Sequence, residues 1–376
     1  MSIEKSKQFG AVITRLINKE NLLRSETREF FSEVLLNEQT EMQQGAFLAA
    51  LTAKGVSTDE IAGVWDAIYN IDTVKVVPDT LEPLVENCGT GMDSLKTFNI
   101  STGASLVAAA AGVRMVKHGA RAITSTCGTI DILEELGVDV ECEPQIVKQS
   151  IENAGIGIFN GMSPKVHPQA LGRILSQISF GTVLNIAASL ANPAMPQYAV
   201  RGVYARELVE PVAQVMREIG YQKALVVYGA SQDGSQGMDE ASTLGETVIA
   251  ELRENGEITS YSFMPEDIGL QPGEQGSLTA SASRTEEALR FISVISGKET
   301  GPRSDIVCLN AGLILYLMNV SESIQEGCKL AREIIFSGSA LQKLKEWVLA
   351  QNSEPKLGLA KLNNLLSMAG LEIYYN

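Results

Sequence analysis

The 376-residue sequence predicts an α/β protein: a small N-terminal helical domain plus a large domain with a central, mostly parallel sheet surrounded by helices. Two patterns carry this prediction. Apolar residues recur at helical spacing through residues 1–75, whereas short β-prone runs alternate with helical segments from residue 84 onward. A third pattern, over residues 247–263, predicts a β-hairpin that turns at Asn255-Gly256 with a type I′ geometry.

The first 75 residues are predicted to form short amphipathic helices. Gly55 ends one of them, and Ser57 followed by Glu60 is the capping-box signature of the next. No cluster of titratable side chains stands out here, so we interpret the region as packing or interface. We expect a further helical insertion into this domain at about residues 165–192.

The large domain is predicted to span residues 76–376. Its β-prone runs are residues 113–116, 138–141, 156–159, 199–204 and 224–228, and its helical segments are residues 130–136, 144–153, 205–219, 285–294 and 324–336.

Composition excludes several classes of protein. The chain has 45 acidic and 30 basic residues, a net charge of −15, which argues against a basic surface for nucleic acid or an anionic membrane. Five cysteines without a C-x-x-C pair argue against a disulfide framework or zinc ribbon, and two histidines exclude a His-rich metal site. Residues 1–10 lack the apolar core of a signal peptide, and no apolar stretch reaches the ~20 residues of a membrane span. We therefore expect a soluble, cytoplasmic protein.

The densest polar cluster occupies residues 87–102. Gly89 and Gly91 leave room for the backbone to approach a ligand, and successive amides in such a loop form an anion nest. Three polar residues then stand at a predicted helix start, where free amides can hold a phosphate. They are Asn99, Ser101 and Thr102. An ordinary turn with an N-cap is the alternative interpretation.

Three further features could complete an anion and metal site. Lys117 follows a predicted strand and can bind phosphate, although a solvated surface charge is the alternative. The hydroxyl-rich residues 124–131 open another helix and form a second candidate anion site. Asp239 and Glu240 follow the strand that ends at Tyr228, and adjacent carboxylates suit Mg²⁺, although paired acids are common in so acidic a chain.

Taken together, these pieces resemble the anthranilate phosphoribosyltransferase family. The motifs GTG-x-D, TFNIST, KHG-x-R, D-x-LE-x-LG, NPA, GVY-x-x-ELVEP, G-x-DE and GPR-x-D-x-V-x-LNA occur in the family's order, from about residue 8 to residue 347. The wider fold group also includes pyrimidine nucleoside phosphorylases.

The resemblance implies an active site in the cleft between the two domains and a homodimer formed through the helical domain. It implies transfer of phosphoribosyl from 5-phosphoribosyl-1-pyrophosphate (PRPP) to an aromatic amine, with Mg²⁺ and release of pyrophosphate. Anthranilate, in tryptophan biosynthesis, is the family's usual acceptor.

The resemblance also implies roles for individual residues. The positions matching the PRPP site are Gly89, Thr90, Gly91, Asp93, Asn99, Ser101, Thr102, Lys117 and Thr129. The positions matching the acceptor pocket are His118, Ala120, His167, Gly181, Ala188 and Ser189, and the metal pair is Asp239 and Glu240.

Several of these positions depart from the family pattern. Gly181 stands where an arginine would hold the anthranilate carboxylate, and Ala120 stands where an asparagine is associated with the acceptor. Met92 replaces a loop glycine, Thr126 replaces a lysine, and a Gly-Pro turn becomes Ala188-Ser189. Two nearby cations are candidates to replace the arginine. They are Lys165 and Arg173.

These departures leave alternatives open. The acceptor could be a different, less anionic aromatic amine or an N-heterocycle. A nucleoside phosphorylase and a non-catalytic binding relative are the further alternatives. Cys127 lies near the predicted site without a visible base, so we interpret it as structural rather than nucleophilic.

Overall fold

The computed structural model describes residues 3–121, 127–178, 180–281 and 283–371. Its N-terminal part is helical, as predicted. The elements are α1 (Ile3–Ile17), α2 (Arg24–Leu35), α3 (Glu41–Lys54), α4 (Thr58–Ala67) and a π-helical turn at Ile68–Asp72. The predicted capping box is present: the Ser57 hydroxyl accepts from the Glu60 amide at 3.3 Å, and the Glu60 carboxylate accepts from the Ser57 amide at 2.8 Å.

The remaining described residues form a sheet covered by helices. The strands are β1 (Leu84–Gly89), β2 (Arg114–Gly119), β3 (Ile156–Asn160), β4 (Tyr198–Gly202), β5 (Lys223–Ala230), β6 (Gly237–Met238), β7 (Thr247–Leu252) and β8 (Ile258–Phe263). The helices are α5 (Ile100–Ala110), α6 (Thr129–Glu135), α7 (Pro144–Ala154), α8 (Leu171–Gln177), α9 (Leu184–Ala187), α10 (Val209–Glu218), α11 (Arg284–Ile295), α12 (Pro302–Leu317), α13 (Ile324–Phe336), α14 (Ser339–Ala350) and α15 (Pro355–Met368).

The sheet has the order β3-β2-β1-β4-β5-β7-β8, with the short β6 paired to β5. Strands β1 to β5 are mutually parallel, whereas β6, β7 and β8 pair antiparallel. The predicted class, a helical domain plus a mostly parallel α/β domain, is therefore confirmed. No helix in the described ranges is long and apolar enough to cross a bilayer.

Two local predictions are wrong. Residues 138–141 are not a strand, because their backbone bonds elsewhere: the Val138 amide donates to the Leu133 carbonyl at 2.9 Å and the Asp139 amide to the Gln351 carbonyl at 3.0 Å. Their buried valines fill the core without joining the sheet.

The β7–β8 hairpin is present, but its turn is not type I′. That type needs positive φ at both central residues, and of the Asn255-Gly256 pair only Gly256 has it, at +80°. Five residues separate the strands, and the Gly256 amide donates to the Arg253 carbonyl at 2.8 Å. The Asn255 side chain accepts from the Glu257 amide at 3.0 Å, a local Asx bond that shapes this longer turn.

One apolar core joins α1–α4 to the middle of the chain. This core also contains residues of α8 and α9 and the buried side chains of α10. The Trp65 indole donates to the Leu190 carbonyl at 3.0 Å, so α4 contacts the segment that follows α9. A second core lies under α5, α12 and α14. The edge of the sheet next to α8 and α9 is thus where helical residues from two parts of the chain meet strand ends.

Glycines bring the Asp239-Glu240 segment directly onto the strand ends. Gly89 and Gly202 face each other at the carboxyl ends of β1 and β4. A Cβ built on Gly202 would lie 1.5 Å from the Asp239 carbonyl oxygen, and one on Gly89 would lie 2.0 Å from the Asp239 carboxylate. Only a residue without a side chain permits this approach.

We predict that Gly202→Ala lowers the free energy of unfolding by about 2 kcal/mol or more, because the added methyl overlaps a backbone atom that cannot move alone. Urea unfolding would measure the loss. The matched control is Gly10→Ala in α1, where a Cβ meets nothing within 4 Å. There we expect a gain of about 0.5–1 kcal/mol. Equal effects of the two substitutions would contradict this explanation.

Candidate active site

A cavity of about 360 Å³ opens at the carboxyl ends of β1 and β2, opposite α8 and α9. It brings together most of the residues that the sequence singled out. Those that line it are Gly89, Thr90, Gly91, Asp93, Asn99, Ser101, Lys117, His118, Ala120, Thr129, His167, Gly181, Ala188, Ser189, Asp239 and Glu240. Thr102 is not among them, since it lies fully buried in the first turn of α5. Thr126 and the start of the hydroxyl-rich run, residues 124–126, fall outside the described residues.

The glycine loop after β1 is hydrogen-bonded to Asp239. The Gly91 amide donates to the Asp239 carboxylate at 2.6 Å, and the Thr90 hydroxyl accepts from the Tyr204 amide at 3.2 Å. Gly91 and Met92 both have left-handed backbones, with φ of +66° and +68°. The turn therefore presents the loop toward the same end of the cavity as Asp239 and Glu240.

The helix start that follows begins earlier than expected. Asn99 is the N-cap of α5, so Ser101 lies within its first turn rather than before it. The Asn99 side-chain amide donates to the Cys127 carbonyl at 3.2 Å. This contact joins the start of α5 to the start of α6, where Thr129 lies.

Lys117 is not a solvated surface charge. Its side chain is buried, and its ammonium group donates to the Asn87 carbonyl at 2.7 Å and to the Ser105 hydroxyl at 3.2 Å. Burial lowers the pKa of Lys117 to about 8, against the opposing charges of Cys88, Glu86 and Glu240. The lysine thus places a cation beneath the floor of the cavity.

Three carboxyl groups, those of Asp93, Asp239 and Glu240, line the cavity close together. Burial, together with Asp239, raises the pKa of Asp93 to about 6, and burial with Asp239 and Asp93 raises that of Glu240 well above its ordinary value. The Glu240 Oε2 atom is buried without a hydrogen-bond partner. Crowded carboxylates that repel one another fit a divalent cation.

Within the described ranges, no three His, Cys, Asp or Glu side chains converge as an all-protein metal cage. Mg²⁺ suits such a site, because it keeps several waters and takes its other ligands from one or two carboxylates and phosphate oxygens. Asp239 and Glu240 are the residues that fit this role.

Two histidines line the cavity as a hydrogen-bonded pair. Their Nε2 atoms lie 3.1 Å apart, and the His167 Nδ1 lies 2.7 Å from the Asp72 carbonyl oxygen. Because a carbonyl only accepts, His167 Nδ1 carries a hydrogen, its Nε2 accepts, and His118 Nε2 donates. Burial lowers the pKa of both rings, most strongly for His118. The pair is therefore neutral, and the buried His118 Nδ1 has no hydrogen-bond partner.

Neither candidate replacement for a carboxylate-binding arginine reaches the cavity. Arg173 donates to the Gln44 side chain and to the Val34 carbonyl, both at 3.0 Å, and Lys165 pairs with Glu143 at 2.8 Å. Neither lines the cavity. Neither candidate therefore takes the place of that arginine in this structure, because both are engaged in other contacts.

The sequence reasoning missed the apolar wall beside the histidines. This wall consists of Leu171, Leu175, Ile178, Phe180 and Leu184. These residues belong to the segment for which the sequence predicts only a helical insertion. The spacing of four residues between Leu171 and Leu175 in α8 is the sequence feature that indicates a shared apolar face. Cys127 lines the cavity as well, but burial and the nearby Asp131 raise its pKa to about 12, so its thiol stays protonated.

We predict that the histidine pair makes stability fall as pH drops below about 6.5. Both rings have lowered pKa values in the fold, so the unfolded chain binds more protons below the ordinary histidine pKa, and acid favours unfolding. Between pH 6.5 and 5.5 the free energy of unfolding should fall by about 1–2 kcal/mol because of this pair. Urea unfolding at several pH values would measure it.

The comparison protein for that test is the His118→Asn/His167→Asn variant, which has no histidine at all. Other titrating groups, Asp93 included, are common to both proteins and cancel in the difference. Between pH 6.5 and 5.5 the free energy of unfolding of this variant should fall by about 1–2 kcal/mol less than that of the unmodified protein. Parallel curves for the two proteins would contradict the assignment of neutral rings.

Comparisons with known proteins agree with this architecture. Residues 81–341 match the model of the glycosyl transferase family a/b domain, and residues 11–70 match its helical bundle domain. The chain is 36% identical over 348 residues to the anthranilate phosphoribosyltransferase of Methanothermobacter thermautotrophicus, covering 91% of this chain and 97% of that protein. It is 37% identical over 342 residues to that of Acetivibrio thermocellus, with coverages of 91% and 96%.

Solved structures give the same answer. The crystal structure of anthranilate phosphoribosyltransferase from Thermus thermophilus matches with a TM-score of 0.80 and 32% identity, covering 90% of this chain and 98% of that one. The Saccharomyces cerevisiae enzyme in complex with PRPP and Mg shares the fold at a TM-score of 0.78 and 23% identity, covering 92% and 98%. The resemblance read from the motifs is confirmed: the chain belongs to the anthranilate phosphoribosyltransferase family of glycosyl transferases.

Proposed function

We propose that this protein is a pentosyltransferase that moves the 5-phosphoribosyl group of PRPP to an aromatic amine and releases pyrophosphate. Anthranilate is the acceptor named for its relatives, which would place the reaction in tryptophan biosynthesis. The observation that carries the proposal is one cavity in which a glycine loop, a carboxylate pair and a buried lysine face an apolar pocket.

The donor end offers complementary charges for a pyrophosphate group. The amides at the start of α5 can donate to phosphate oxygens, and Lys117 supplies positive charge at the same end of the cavity. Asp239 and Glu240 would hold Mg²⁺, which when bound neutralises charge on the pyrophosphate oxygens. The donor-site and metal roles of these residues are part of the proposal.

The chemistry needs positioning and electrostatic stabilisation rather than a covalent nucleophile. When the bond from ribose C1 to pyrophosphate breaks, positive charge develops on the sugar and negative charge on the leaving group. The start of α5 faces the leaving group, and the acceptor nitrogen approaches C1 from the apolar side of the cavity. The apolar side chains of this wall offer water no hydrogen bonds where it would compete with the amine.

We predict that the protein binds PRPP in the presence of Mg²⁺, and that Asp239→Asn/Glu240→Gln weakens this binding by about 100-fold or more, because the cation loses its two charged ligands. Isothermal titration calorimetry measures both. The matched control is Glu254→Gln/Glu257→Gln, which removes two exposed charges from the β7–β8 turn and should leave the affinity unchanged.

Absence of PRPP binding by the unmodified protein would overturn the proposed function. Phosphate-dependent release of a base from a nucleoside would replace it with the phosphorylase alternative. Equal losses in both double variants would show that overall charge, rather than a metal pair, controls the affinity.

The assembly and location of the protein are also proposals. We propose a homodimer formed through the helical domain, supported by apolar side chains that α1 to α3 leave exposed: Ile3, Ile17 and Met42 are 78%, 67% and 85% exposed. All five cysteines are free thiols, as suits the reducing cytoplasm.

Light scattering after size-exclusion chromatography should give twice the monomer mass for the unmodified protein. We predict that Ile17→Glu/Met42→Glu shifts it toward monomer, because charge at a buried interface is costly. Met368→Glu at the far end of the chain, where the side chain is 57% exposed, should remain dimeric. A monomeric unmodified protein would refute the dimer.

A further inference from the structure

The side chain of Met92 lies directly on Gly181. A Cβ built on Gly181 would be 1.9 Å from the Met92 Cε atom and 2.3 Å from its Sδ atom. Residue 181 therefore carries no side chain while Met92 occupies this place. Since both residues line the cavity, the thioether forms part of its wall between the glycine loop and the segment before α9.

The backbone makes the contact unusual. Met92 is held at φ +68°, the left-handed region that favours glycine. A methionine here costs backbone energy that a glycine would not. The contact of its side chain with Gly181 is the packing that the structure shows at this position.

The cavity around Met92 is apolar on the acceptor side. Leu171, Leu175, Ile178, Phe180 and Leu184 line the same cavity. A thioether at the edge of an aromatic ring makes favourable contacts. This end of the cavity thus fits the face and edge of an aromatic ring.

The cationic side chains that line the cavity are engaged elsewhere. Lys96 pairs with Asp93 at 3.2 Å, and Arg121 pairs with Glu134 at 2.7 Å and with Glu141 at 3.1 Å. Lys117 is buried beneath the donor end, where it bonds to the backbone of β1. Among the described residues, none of these three cations is directed at the apolar wall. A carboxylate bound there would lose its hydration without gaining a partner.

We propose that Met92 and Gly181 form a matched pair that determines acceptor specificity: they recognise the ring of an aromatic amine, and the acceptor needs no carboxylate. This inference rests on the proposed phosphoribosyl transfer and concerns only its acceptor. Anthranilate and its uncharged analogue 2-aminobenzamide should then be used with kcat/KM values within about tenfold of each other.

The test measures pyrophosphate release at saturating Mg²⁺ and PRPP, with anthranilate or 2-aminobenzamide as acceptor. The Met92→Gly/Gly181→Arg variant removes the thioether and places a guanidinium in the vacated space. We expect it to shift the kcat/KM ratio toward anthranilate by roughly 10- to 100-fold, the range of a hydrogen bond to a charged group. Met92→Gly alone should weaken use of both acceptors without changing their ratio.

The chain offers a matched control. Met195 also has a left-handed backbone, at φ +45°, and is 41% exposed against 39% for Met92, but it does not line the cavity. Met195→Gly should leave the acceptor ratio unchanged. A direct readout is the ¹³C-labelled methyl resonance of Met92 in the PRPP-loaded protein, which should shift on addition of 2-aminobenzamide through the ring current.

The outcomes separate this inference from the function on which it rests. PRPP binding with a preference of the unmodified protein for anthranilate above about 100-fold would overturn the inference and leave the proposed function standing. An unmoved Met92 methyl resonance during turnover of 2-aminobenzamide would overturn it too. Absence of PRPP binding would overturn the proposed function itself, and the inference with it.

Discussion

The buried ion pair between Glu86 and Arg201 is the interaction that holds the two sides of the cavity together. Both side chains are fully buried, on the neighbouring strands β1 and β4, with Nη2 and Oε2 3.1 Å apart. Removing two charges from water is expensive, and the pair is tolerable only because further hydrogen bonds satisfy it. The Glu86 carboxylate also accepts from Asn192 at 3.0 Å and from the Tyr221 hydroxyl at 3.1 Å.

The partners of Arg201 explain why this pair matters for the site. The guanidinium donates to the Ser189 hydroxyl at 3.1 Å and to the Ser189 carbonyl at 2.9 Å. Ser189 follows α9 and lines the cavity. The Arg201 guanidinium on β4 therefore fixes the position of this part of the cavity wall. The same Glu86 carboxylate acts electrostatically on Lys117, on the neighbouring strand β2, and opposes the lowering of its pKa by burial. Breaking such a pair by removing one partner leaves an uncompensated buried charge, which typically costs about 3–5 kcal/mol.

The two ends of the cavity differ in charge and polarity. At the proposed donor end, Asp93, Asp239 and Glu240 lie so close together that their negative charges repel one another, which favours binding of a cation. At the proposed acceptor end, the two histidines are neutral, and the Met92 thioether lies against Gly181. Under the proposed function, desolvation and electrostatics would direct an anionic donor and an aromatic acceptor to different ends of the cavity.

Sequence by itself determined what depends on short-range pattern. Helical periodicity and the Ser57–Glu60 cap located the N-terminal helices, and alternation of strands with helices gave the α/β class. The glycine loop and the Asp239-Glu240 pair were evident because each is contiguous, and parallel strands bring their carboxyl ends to one edge. Tertiary structure alone decided the rest, because it depends on partners far apart in the chain. His118 meets His167 across 49 positions, Met92 covers Gly181, and residues 138–141 bond to Gln351 instead of joining the sheet.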